Sequence, residues 1–197
     1  MLKKIKKYKI NFRPSFILRT LKKKVNFDTN QTESVEKNIN EEVSRLQKVI
    51  VSSSLYSSYS KLETPPLLKN FWQNQSNSTL ALSIILTTIG KEIEKEIETA
   101  FKVSDMQGWV VDSIAREALE QSLNFTTKLI AEEAKNEDCE LSPPLPIGSE
   151  EIKEVLPLLE SEKAQIGLNF QGGITPFFTN ASFCFWNLTS KKYARVT

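Results

Sequence analysis

Apolar residues along this chain recur with two periods, one helical and one strand-like, and the alternation between them sets out the elements. "YKINF" (residues 8–12) alternates as a short strand, and "RPSFILRTLKKK" (13–24) continues as a helix entered through Pro14. From residue 33 to 54, Val35, Ile39, Leu46, Val49 and Ile50 fall at helical spacing and predict an amphipathic helix. The polar stretch 52–78, punctuated by Pro65-Pro66, reads as a connector with at most one short element. "TLALSIILTTIG" (79–90) has the composition of a buried strand ending in a turn. An amphipathic helix follows over 91–101, with Ile93, Ile97, Ala100 and Phe101 on one face.

The strongest helical signal runs from about residue 107 to 134, with a stripe of Val111, Ile114, Ala115, Ala118, Ser122, Phe125 and Leu129. After a Ser-Pro-Pro loop, residues 148–161 predict a helix capped by Ser149 and shortened or kinked at Pro157. Residues 166–174 and 181–188 read as strands, with Gly172-Gly173 and Pro176 punctuating the path between them. Helical runs bracketed by strands, without βαβ alternation or an internal repeat, predict an α+β fold with a largely antiparallel sheet.

At 197 residues and 40% hydrophobic, the chain is expected to form a single domain over 1–197, with residues 1–7 open to reading as a flexible basic tail. Its net charge of +2 conceals a polarised distribution. Residues 1–24 hold eight Lys and two Arg with no acid, whereas the remainder carries 16 basic against 24 acidic residues. Such a run can meet nucleic acid or an anionic surface, but apolar residues interleave with it, so lysines solvating a folded element are the stronger reading and nucleic acid is unlikely. The absence of histidine excludes Ser-His-Asp and Cys-His catalysis and histidine-based metal sites. Two distant cysteines, Cys139 and Cys184, make no disulfide framework. No signal-peptide h-region or membrane span is visible, so a cytoplasmic protein is expected and the Asn-x-Ser/Thr sequences at Asn30, Asn74, Asn77, Asn124, Asn180 and Asn187 read as products of composition.

Candidate chemistry is sparse when the residues are read one by one. Asp112 and Glu120, eight residues apart, can share a helix face for acid–base work, although solvated helix carboxylates have the same pattern. Gly172-Gly173 suits either a phosphate or a hairpin turn, Phe177-Phe178 either a stacking platform or a loop anchor, and Trp186 a core position.

Taken in order, the segments resemble the activation domain of cobalamin-dependent methionine synthase. "FILRTLKKK" is similar to that family's opening; "TTIG" and "DMQGWVVDSIAREALEQ" are similar to its central segment, with Asp112 and Glu120 in matching places. "ELSPPLPIGSEEIKEVLPLL" stands where the family has "R-x-S-P-G-Y" and a short helix, "EKAQIGLNFQGGITP" resembles its late strand and loop, and "NASFCFWNLTSKKYARV" resembles its closing stretch through Ala181, Ser182, Trp186 and Tyr193.

The resemblance implies a C-shaped α+β domain with a bent antiparallel sheet, binding S-adenosylmethionine and docking on a cobalamin module to support reductive methylation of cob(II)alamin, with a flavodoxin-type electron donor. It implies a free-standing component acting in trans on methionine synthase modules, with cobalamin met only through that partner. It places Glu120, Glu140, Ser142, Pro143, Pro144, Leu145, Trp186 and Asn187 at the ligand cleft. Glu140, Pro144, Leu145 and Asn187 depart from the family pattern. Where the family's Arg meets the ligand carboxylate stands Glu140, and a like-charge contact at 4 Å costs roughly 4 kcal/mol at an effective dielectric of 20. Pro144 removes an N–H donor and Leu145 a hydroxyl. Ligand binding is therefore expected to be weak unless Arg116, Lys153 or Arg195 supplies the charge. The alternative is an interaction or scaffold protein that keeps the fold without the ligand.

Overall fold

Leu82, Ile84 and Leu86 alternate with Ser83, Ile85 and Thr87 in β3 (Thr79–Thr88), and both sets are buried, which requires a packed layer on each side of the strand. The computed structural model describes residues 2–26, 32–73 and 75–189. In it β3 lies between β2 (Ser53–Ser60) and β8 (Thr179–Leu188), antiparallel to both. β1 (Lys3–Lys6) continues the sheet beyond β2, while β4 (Cys139–Leu141) and β5 (Leu145–Pro146) share the other edge of β8. The order is β1-β2-β3-β8-β4, with β5 also on β8, and every pairing is antiparallel. A separate hairpin joins β6 (Gly167–Leu168) to β7 (Ile174–Thr175), with Gly172 in a left-handed conformation (φ 79°) at the turn, so the double glycine serves a hairpin.

The helices are α1 (Pro14–Lys22), α2 (Thr32–Leu46), α3 (Glu92–Val103), α4 (Asp105–Asn136) and α5 (Ser149–Leu158). α4 starts where Ser104 Oγ accepts from the Gln107 amide at 3.1 Å. Its distal half covers one sheet face, where Ile130 and Ala134 pack with Tyr56, Ile85, Cys184 and Trp186. On the other face Ile152, Val155 and Leu156 of α5 meet Leu55, Leu82, Ile84, Leu86 and Phe185. A third cluster joins α1, α2, α3 and the first half of α4 through Ile17, Leu21, Ile39, Leu46, Ile93 and Ile114. The α+β architecture with an antiparallel sheet is as expected.

Several boundaries differ from the sequence pattern, each for a physical reason. Residues 52–60, read as connector, form the internal strand β2; its serines tolerate burial because Ser54 meets Thr87 at 3.1 Å and Ser58 meets Ser83 at 2.7 Å across the ladder. The helix predicted over 33–54 accordingly stops at Leu46, and Val49 and Ile50 lie in the turn entering β2. Residues 8–12 form no strand; the strand is β1, made of residues read as a basic tail, with Lys3 held 2.7 Å from Glu133. The cap of α5 is Gly148 without a side-chain bond, Ser149 being already helical, and Pro157 lies in the last turn. The expected strand 166–174 is interrupted between β6 and β7. Along α4 the buried stripe advances from Ser122 to Thr126, Ile130 and Ala134, leaving Phe125 to stack on Tyr8 at 4.5 Å. A near-four-residue step follows because a long straight helix drifts against a shorter repeat.

Gly108 marks the closest approach of α3 and α4, since a Cβ there would stand 2.2 Å from Phe101 Cδ1. Gly108→Val is expected to destabilise the fold by about 1–3 kcal/mol through overpacking, read as a lower denaturation midpoint; an unchanged midpoint would show that the Phe101 ring moves aside freely.

Candidate functional site

The segment around the Ser-Pro-Pro sequence is an edge ladder. Glu140 pairs with Asn187, Leu141 with Trp186, Leu145 with Phe183 and Pro146 with Ser182. Between the two short strands the Ser142 amide donates to Phe185 O at 2.8 Å, and Ser142 Oγ accepts from the Phe185 amide at 2.9 Å. From Leu141 to Leu145 the edge advances four residues while β8 retreats three, from Trp186 to Phe183, so the prolines occupy a one-residue bulge. Pro143 and Pro144 fit there because neither has an N–H to satisfy, and Pro146 is tolerated at an edge.

Side-chain alternation decides what each residue faces. Cys139 and Leu141 join the cluster under α4, so exposed Glu140 projects from the opposite face. There its neighbour Asn187 accepts through Oδ1 from Thr79 Oγ1 at 2.7 Å. Trp186 is a core residue whose indole N–H donates to Ser83 Oγ at 2.8 Å. Leu145 and Pro146 border a hollow of about 320 Å³ with Phe71, Phe183, Phe185 and Glu151. Glu140, Ser142, Pro143, Pro144, Leu145, Trp186 and Asn187 thus lie together along the β8 edge, although Trp186 points into the core.

Glu120 belongs to another constellation. It sits on α4, half-exposed and 3.2 Å from Arg13, whose Nε and Nη2 also reach Glu117 Oε1 and Oε2 at 2.7 and 3.0 Å. Glu117 is a buried carboxylate with 0% side-chain exposure, and Gln121 Nε2 donates to it at 2.9 Å. Sequence reasoning missed Glu117, for no local signal links it to an arginine 104 positions away. Asp112 is not beside Glu120; it is buried and holds Lys24 and Arg116. Burial works against its charged form, but the hydrogen bonds from Arg116 and Lys24 outweigh that and lower its pKa.

The proposed substitutes for a missing cation are placed elsewhere. Arg116 Nε donates to Asp112 at 2.9 Å, and its guanidinium lies 6.0 Å from the Phe178 ring. Lys153, on α5, runs beside Gly172 of the hairpin. Arg195 lies outside the described residues. Phe178 is buried and Phe177 exposed, the arrangement of a loop anchor. Four buried polar atoms near the start of β8 and on α4 have no hydrogen-bond partner among the described residues, namely Thr179 Oγ1, Asn180 Oδ1, Ser182 Oγ and Ser113 Oγ. Cys184 is inert by position, its thiol pushed up to about 12 by burial.

No family model and no curated protein matches this chain. Among solved structures, the chain is similar to the MetH reactivation domain bound to AdoHcy, with a TM-score of 0.64 at 10% identity, the match covering 100% of this chain and 85% of that one. The fold is that of the reactivation domain: a curled antiparallel sheet with flanking helices. Among the described residues, no helix is long and apolar enough to cross a membrane.

Arg13→Ala leaves Glu117 buried without its cation and is expected to cost about 3 kcal/mol, whereas Arg13→Ala combined with Glu117→Leu recovers most of that loss in the same denaturation measurement. The lowered Asp112 pKa gives a second expectation. Its contribution is fully present above the ordinary carboxylate value of about 4 and is lost as pH falls through the folded value. Asp112→Asn should therefore flatten the acid limb of a stability–pH profile; an unaltered limb excludes Asp112 as a source of acid sensitivity.

Proposed function

We propose that this chain is a free-standing accessory protein of the reactivation-domain type, engaging an S-adenosyl ligand and docking in trans on the cobalamin-carrying module of a methionine synthase. The observation that carries this reading is the fold likeness over the whole chain to the MetH reactivation domain bound to AdoHcy. The cobalamin module as partner, a flavodoxin-type electron donor and a cytoplasmic setting belong to the same proposal.

The residues present fit S-adenosylmethionine unevenly. The ring faces of Phe71, Phe183 and Phe185 suit a flat purine. The buried oxygens of Asn180, Ser182 and Ser113 lie toward α4, across the sheet from the hollow that those rings border, and so do not serve a ligand held there. The amino-acid end does not fit the 139–147 edge: Glu140 is acidic, Glu151 borders the adjacent hollow, and among the described residues no lysine or arginine lines that hollow.

That mismatch favours a second reading, in which the chain retains the fold for docking and has given up the ligand. Calorimetric titration of the full chain with S-adenosylmethionine and with AdoHcy separates the two. Saturable binding in the micromolar range, about −8 kcal/mol, strengthened by Glu140→Arg, supports the first reading. No heat together with retention of a cobalamin-loaded synthase module on the immobilised chain supports the second, and absence of both defeats the two together.

A further inference from the structure

Away from the 139–147 edge, and sharing no residue with it, a cavity of about 240 Å³ opens between the turn after β1, the start of α3 and the 3-10 turn at Ser161–Ala164. Among the described residues, Lys6, Lys7, Lys91 and Lys163 line it, against the single carboxylate of Glu92. Glu92 is engaged by Lys95 at 3.0 Å and Lys163 by Glu160, whereas Lys6, Lys7 and Lys91 make no ion pair with a described carboxylate. These lysines come from three separate parts of the chain and border one cavity because β1 is fixed on β2 and the 3-10 turn rests against β2. Their mutual repulsion reaches Lys4, whose pKa is lowered by desolvation and then by Lys6 and Lys163. Val51 and Ala164 add apolar wall. Lys91 is the N-cap of α3, so the start of that helix, with Glu92 and Glu94 in its first turn, borders the cavity.

We propose that this cavity binds a small organic phosphate, a phosphoryl group carried on a compact apolar body. A phosphoryl group with about 1.5 to 2 negative charges matches the cation excess better than a singly charged carboxylate, and lysines with adjacent helix-terminal amides are suited to its several acceptor oxygens. Val51 and Ala164 give the body a surface on which free phosphate gains nothing.

Phenyl phosphate, inorganic phosphate and benzoate, titrated into the full chain at constant ionic strength, form the test. Phenyl phosphate is expected to bind saturably at one site and more tightly than the other two, shifting the backbone amide resonances of Gly90, Lys91 and Glu92. Lys6→Gln and Lys91→Gln, both at exposed positions, should each weaken it about tenfold, the worth of one charge-assisted hydrogen bond. Lys128→Gln on α4 should leave it unchanged. Absence of saturation, equal binding of benzoate or inorganic phosphate, equal loss in Lys128→Gln, or amide shifts confined to other residues overturns the assignment. Should a variant fold poorly by circular dichroism, the ligand ranking and amide map of the unaltered chain decide. Phenyl phosphate should not compete with S-adenosylmethionine, so the fates of the two sites are separable.

Discussion

A strand composed mostly of serine can lie inside a sheet only if its hydroxyls are satisfied without water, and that constraint underlies the architecture. In β2, Ser54 is shared among Tyr8, Thr87 and Thr126 at 2.8, 3.1 and 2.7 Å, which ties the N-terminal segment, the central strand and α4 to one buried oxygen. Ser58 meets Ser83, which also receives the Trp186 indole N–H. Each link is worth about 1 kcal/mol net, but an orphaned partner loses the full desolvation penalty. The network therefore fixes register more firmly than it adds stability: a one-residue slip of β2 would present its serines to the aliphatic cluster under α5.

The same network explains why part of the fold was legible in the sequence and part was not. β3, α3 and α4 are visible because their apolar periods reflect burial directly. β2 is invisible to any rule that equates polarity with exposure, since its burial is licensed by partners 25 to 72 positions away. The edge segment 139–147 was legible as special, through its prolines, yet hydrogen-bonded strand geometry with a bulge is a tertiary outcome set by β8. Glu140 and Glu120 were grouped by linear analogy; pleat and helix phase give them different surroundings, Glu140 away from the α4 face and Glu120 beside Arg13.

The uneven charge distribution also acquires a structural meaning. Lys3 reaches Glu133, Arg13 reaches Glu117 and Glu120, and Lys24 reaches Asp112, so basic residues at the start of the chain are matched to acids spaced along α4. The pairings recruit separate levels of one long helix, and Arg13 and Lys24 flank α1 while Lys3 lies in β1. Exposed pairs of this kind contribute little individually. Glu117 is different, because a fully buried carboxylate requires its guanidinium whether or not the pair exceeds an apolar substitute in stability.

The charges that remain are consequently informative. Once α4 has accounted for Lys3, Arg13 and Lys24, Lys6 and Lys7 stand at the far end of the sheet with Lys91, lining a cavity that they share with Glu92 and with Lys163, itself paired with Glu160. Repulsion within that group is only partly offset by Glu92 and Glu160, and an anion would lower it further. The β8 edge shows the reverse: acids stand where a ligand carboxylate would need a cation. A fold can therefore be kept across the whole chain at 10% identity while its edge charges are left free to vary, because backbone pairing constrains β8 and its neighbours far more tightly than it constrains the exposed charges at their edges.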